Sequence, residues 1–98
     1  MVGEKAPPVA DFSFSPSKPT VLVDVEFTDD SHDPDGRIVS RHWDFGDGTT
    51  STERNPTHRY TRKGSFTVKL TATDNDGLTA TKEAKIEVVN LPPEASFT

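Results

Sequence analysis

The stretch WDFGDGTTS, Trp43 through Ser51, holds the chain's only tryptophan and two carboxylates set among glycines. Asp44 and Asp47 can be read as a pair for acid–base work, as metal ligands, or as side chains bonding the amides of their own turn. Gly46 and Gly48 give the backbone freedom for a tight hairpin, and the polar run Thr49–Thr52 gives it a strand to return on. No group that would orient a nucleophile flanks the carboxylates. The turn reading uses every residue: Trp43 and Phe45 face a core, Asp44 accepts from turn amides, and Gly-Asp-Gly closes the hairpin. Ser40, His42 and Asp44 share a strand face by parity. Residues two apart on a strand lie about 6.6 Å apart along it, too far for a serine–histidine–carboxylate relay.

The flanking chain has period two. Ala10, Phe12 and Phe14 alternate with Asp11 and Ser13. Val21, Val23, Val25 and Phe27 alternate with Leu22, Asp24, Glu26 and Thr28. Phe66, Val68, Leu70 and Ala72 alternate with threonines and Lys69, and Ala84, Ile86 and Val88 with Lys85 and Glu87. Between the runs stand Asp33-Pro34-Asp35-Gly36, Asn55-Pro56, Lys63-Gly64 and Asn75-Asp76-Gly77, each a turn signal. The pattern predicts an all-β antiparallel sandwich with one solvated face per sheet. In the tryptophan strand, Trp43 and Phe45 facing inward bring Val39 and Arg41 with them and put Ile38 on the other face. A bulge between Ile38 and Trp43, or a twist carrying Ile38 to the edge, reconciles the two.

Ninety-eight residues make one domain, and 31% hydrophobic against 28% charged residues leaves it a thin core. A net charge of −5, from 11 Lys+Arg and 16 Asp+Glu, argues against nucleic acid as a partner. Cysteine is absent, so there is no thiol chemistry, and no apolar run is long enough to insert in a membrane. The absence of glutamine and the single methionine hint at a thermophilic source. Met1 to Lys5 does not read as a signal peptide, and the chain is expected to be a piece of something longer. Pro7-Pro8-Val9-Ala10-Asp11-Phe12-Ser13 is echoed by Pro92-Pro93-Glu94-Ala95-Ser96-Phe97-Thr98 at an offset of 85 residues. The organisation expected is therefore a leader over 1–6, a domain over 7–90, and over 91–98 a linker with the start of a next copy, the copies joined by stiff proline pairs.

The order of motifs resembles PKD (polycystic kidney disease) domains. Trp43-Asp44-Phe45-Gly46-Asp47-Gly48 matches the family's signature, accompanied by Asp33-Pro34-Asp35-Gly36, Pro56-Thr57-His58-Arg59-Tyr60, Gly64–Leu70 and Thr73–Gly77. The resemblance implies an immunoglobulin-like antiparallel β-sandwich of about seven strands, extracellular or on the cell surface, used for spacing, binding or carrying tension rather than catalysis. Some bacterial members bind calcium near the N-terminal junction. Two departures stand out: Arg41 where an aromatic is common, and Lys5-Ala6 before the proline pair where the outgoing linker has Asn90-Leu91.

Two clusters remain as candidates. Asp33, Asp35, Asp74 and Asp76 lie in two loops that a sandwich can bring to one end, and Ca²⁺ takes six to eight such oxygens. Ordinary Asx turns are the alternative, and no other cofactor is implied. The spacing is not that of an EF-hand: counted from Asp33, position six is Ile38 and position twelve Asp44. Arg54, Arg59, Arg62 and Lys63, with His58, form the basic cluster, suited to an acidic neighbouring domain, another surface protein or an anionic polysaccharide, or simply to a solvated edge. His58 is expected to be a hydrogen-bonded structural histidine and His32 exposed, and three scattered histidines do not make a zinc site. The function expected is a non-catalytic spacer of a tandem array, whose partners are neighbouring copies. The alternative is a carbohydrate- or protein-binding accessory domain of a secreted enzyme or adhesin, which needs exposed aromatic faces. Tyr60 is the aromatic without an inward assignment.

Overall fold

The computed structural model describes residues 6–90. Seven strands run β1 Phe12–Ser15, β2 Asp24–Asp29, β3 Ile38–Asp44, β4 Thr50–Ser51, β5 Thr57–Arg59, β6 Gly64–Asp74 and β7 Thr79–Val88. They form two antiparallel sheets, β1-β2-β5 and β4-β3-β6-β7, packed face to face as an immunoglobulin-like sandwich. The alternation expected for β6 and β7 is present: Phe66, Val68, Leu70 and Ala72 are buried on one strand, Ile86 and Val88 on the other. Trp43 of β3, with Phe45 just beyond it, adds to that face, and Phe12, Val25, Phe27 and Tyr60 complete the core from the facing side, with Phe14 packed partly against it. Phe97 lies outside the described residues.

Two strands depart from simple alternation. Val21 N–H donates to the Val89 carbonyl at 2.9 Å, while Leu22 N–H donates to the Tyr60 carbonyl at 2.8 Å. The chain changes sheets between these two residues, and Leu22 takes a φ of 65° to do it. Strand β2 therefore starts at Asp24 rather than Val21, and Val23 is exposed instead of facing the core. In β3 the pairing with β6 slips between Ile38 and Ser40, so of the two alternatives the bulge is the one present. Its effect corrects the expected parity: Val39 turns outward, while Arg41 reaches the half-buried rim and pairs with Asp29.

The two termini of the domain lie at opposite ends of the sandwich. At the leading end, Ala6 N–H donates to Asp35 Oδ2 at 2.8 Å, beside the β6–β7 turn. At the trailing end, Val89 N–H donates to the Pro19 carbonyl at 3.0 Å, next to Gly64 at the start of β6. Strand β6, eleven residues long, connects the two ends. At about 3.3 Å per residue it spans roughly 35 Å.

Candidate functional site: two acidic turns

The β3–β4 turn satisfies its own charges. Gly46 N–H donates to Asp44 Oδ1 at 3.0 Å, and Thr49 N–H to Asp47 Oδ1 at 3.1 Å. Asp47 Oδ2 lies 2.7 Å from His58 Nε2, and the His58 ring stacks on Phe45 with centroids 4.2 Å apart and planes 5° from parallel. Burial pushes the Asp47 carboxyl up, but the bonds from Thr49 and His58 outweigh it and hold the group below the ordinary carboxylate range. Around this turn Trp43 Nε1–H donates to the Glu53 carbonyl at 2.8 Å, and the Tyr60 hydroxyl to the Phe45 carbonyl at 2.8 Å. Burial, with Asp47 and Asp44 nearby, raises the Tyr60 phenol further above its usual value. The signature residues Trp43 to Gly48, His58 and Tyr60 thus hold one hairpin onto the core, and His58 is hydrogen-bonded as expected.

The loops carrying Asp33 and Asp74 converge at the leading end. Arg37 N–H donates to Asn75 Oδ1 at 2.9 Å, and Asn75 N–H to the Arg37 carbonyl at 3.1 Å, clamping the two turns together. A Cβ on Gly36 would lie 2.3 Å from Asn75 Oδ1 and 2.9 Å from Asp33 Oδ2, so glycine is what permits this approach. Asn75 carries that clamp and was not among the residues singled out from sequence; its place in the Asn-Asp-Gly turn is the only signal it gave. Asp74 Oδ1 accepts the N–H groups of Asp76 and Leu78, both at 2.9 Å. Its Oδ2 is different: Asp74 is 1% exposed, and among the described residues Asp74 Oδ2 and Asp33 Oδ2 are buried without a hydrogen-bond partner.

Oxygens of Asp33, Asp35 and Asp74 lie within 4.8 Å of one another. Asp76 stands outside that group and contributes its backbone amide instead. Loss of solvent around Asp33, together with the charges of Asp74 and Asp35, raises its carboxyl above the ordinary range. The donor set fits a hard cation. Ligands on opposite sides of Ca²⁺ stand about 4.6–5.2 Å apart, whereas those around Mg²⁺ are confined to about 4.2 Å.

The basic residues are distributed. Arg59 pairs with Asp24 at 2.9 Å, Arg62 lies over the Phe66 ring at 6.0 Å, and His58 faces inward toward Asp47. Arg54 and Lys63 are exposed in loops.

A family model for the PKD domain matches residues 5–88. The chain belongs to the PKD-domain family. Collagenase ColA of Clostridium perfringens is 45% identical over 80 residues, which is 79% of this chain and 7% of that protein. The PKD1 domain of the Vibrio cholerae metalloprotease PrtV is 45% identical, with a TM-score of 0.78 over 87% of this chain and 100% of that one. A structure concerned with the promiscuous specificity of carbohydrate-binding modules from the β-sandwich superfamily is 38% identical, with a TM-score of 0.86 over 90% of this chain and 36% of that one. The chain spans about 7% of the length of the curated relatives it matches. What it shares with them is one module of a larger protein. Among the described residues no helix is long and apolar enough to cross a membrane.

Proposed function

We propose that this PKD domain is a non-catalytic accessory module of an exported protein, most plainly a protease-like one, and that it works as a spacer set in series with its neighbours. The observation that supports this is the placement of Ala6 and Val89 at opposite ends of β6. Tension on the chain then runs along the strands. At the trailing end it loads the parallel Thr20–Val89 bridge in shear, so the backbone bonds from Val89 to Pro19 and from Val21 to Val89 resist together. The echo at residues 92–98, which lies outside the described residues, adds the expectation of a following copy. Spin labels on Ala6→Cys and Asn90→Cys, in a chain with no other cysteine, test the spacer. A narrow distance distribution at or above roughly 35 Å is expected; a short or broad one contradicts it.

A calcium ion at Asp33, Asp35 and Asp74 is the second part of the reading. It is favoured by the Oδ2 atoms of Asp33 and Asp74, which are buried without a hydrogen-bond partner in the same group as a carboxylate oxygen of Asp35. Bound there, a cation would offset the mutual repulsion of the three carboxylates. Asp35 also holds Ala6, so the same site would stiffen the leading junction. The carbohydrate-binding alternative finds little support: among the described residues Phe12, Phe27, Trp43, Phe45, Tyr60 and Phe66 are all buried and Phe14 is partly so, leaving no aromatic platform for a sugar.

A further inference from the structure

The two ends of the domain carry opposite charge. The leading end presents Asp33, Asp35 and Asp76 on its two turns, outnumbering the one arginine between them, Arg37, with Asp30 one step below, where Asp30 N–H meets the Asp11 carbonyl. The trailing end presents Lys18, beside the Pro19 carbonyl that holds Val89, and Lys63, beside the Gly64 that pairs with Val88. Leu22 and Val89 add an apolar centre there, 55% and 40% exposed and one hydrogen bond apart through Val21. A basic rim around an apolar centre is unexpected on a chain of net charge −5.

We propose that the trailing end docks directly on the leading end of a following copy of this module, the Lys18 and Lys63 rim seating against Asp30, Asp35 and Asp76. The proposal rests on the series reading and on the 85-residue offset of the proline echo, which puts Leu91 in the place of Ala6. Val89 is held by one copy and residue 91 would be held by the next, so Asn90 alone separates the two anchors. Two residues span at most about 7 Å. The two end faces are therefore brought together by the chain itself, at an effective concentration that lets weak rim contacts act. Opposite charges align in that arrangement, and Leu22 and Val89 lose solvent.

The test is a tandem protein in which residues 6–90 are followed directly by a second 6–90, examined by backbone NMR relaxation at low salt. The pair is expected to tumble as one body. Lys18→Glu with Lys63→Glu in the first copy is expected to free the two, and adding Asp30→Lys with Asp76→Lys in the second copy to restore joint tumbling. Lys18, Lys63 and Asp30 are exposed and Asp76 half-buried, all outside the three-carboxylate group, and a melt of each single-copy variant checks that it folds. Salt near 1 M, where the Debye length is about 3 Å, is expected to loosen the pair. Independent tumbling of the unmodified tandem, or no response to charge reversal, overturns the proposal. So does independent tumbling combined with charge-reversible binding of an acidic polysaccharide, which would give the rim to an external ligand. The label distance within one module is untouched by any of these results, so the spacer reading stands or falls separately.

Discussion

The turn after Trp43 and the pair of turns at the leading end are built from the same residues, Asp, Gly and Asx side chains bonding their own amides, yet they end in opposite electrostatic states. Asp47 has Thr49 and His58 as partners and a carboxyl held below its ordinary range. Asp33 and Asp74 fold against each other with an oxygen of each buried and unpartnered, and the Asp33 carboxyl is raised. The first turn is complete as folded. The second satisfies its backbone through Asn75 and Gly36 while leaving one oxygen each of Asp33 and Asp74 without a hydrogen bond, and a buried polar atom left so is costly.

The largest effect expected is on the completed turn. Gly46 has a φ of 84°, and an added Cβ would lie 2.5 Å from the Thr67 carbonyl oxygen. Gly46→Ala should lower stability in urea by about 3 kcal/mol or more, since both strain and a backbone clash apply. Asp47→Asn comes next. It weakens the contacts to His58 and Thr49, and a loss of about 1–2 kcal/mol at neutral pH is expected.

Asp74→Asn should go the other way in chelator. Asparagine keeps the Oδ1 acceptor for Asp76 and Leu78 and replaces the unpartnered oxygen with a donor facing Asp33. Stability should hold or rise by about 1 kcal/mol in a urea melt; a loss matching that of Asp47→Asn would erase the difference between the turns.

The smallest effect is in the pH dependence. Asp47 has a lowered folded value, so its stabilisation is present above the ordinary carboxylate value of 3.8 and disappears as pH falls through the lower folded one. Asp33 has a raised folded value, so it favours the fold while protonated and becomes unfavourable as pH rises from 3.8 through the raised value. The stability difference between wild type and Asp33→Asn, followed by urea melts in chelator, should therefore appear on the alkaline side of that window with the sign opposite to that of Asp47→Asn. Differences of the same sign would contradict it.

Much of this was legible in the residues. Period-two alternation gave β6 and the end of β7 nearly residue by residue, because β6 keeps one face on the core from Phe66 onward and β7 does so from Ala84 to Val88. It overran at Val21 to Val23, because the hydrogen bonding passes from Val89 to Tyr60 there and hydrophobic pattern does not record a change of sheet. It misplaced Val39 because one slipped residue reverses every side chain before it. Tyr60 had no inward parity to follow, lying just beyond β5, and its hydroxyl finds the Phe45 carbonyl only in the folded turn. That the acidic loops can meet at one end follows from sandwich topology, but not that they do. Which oxygens are left without partners depends on ångström-scale placement by Gly36 and Asn75, and no spacing encodes it.

The difference between the turns is tested most directly by calcium calorimetry on wild type, Asp74→Asn and Asp76→Asn, with thermal melts alongside. The account predicts one ion per wild-type chain in the affinity range of extracellular modules, about 10⁻⁴–10⁻³ M. It also predicts a rise in Tm with calcium, loss of both effects in Asp74→Asn, and their retention in Asp76→Asn. No heat and no shift at millimolar calcium, or equal binding by Asp74→Asn, would contradict it and return the leading turns to the self-sufficient chemistry of Asp44 and Asp47.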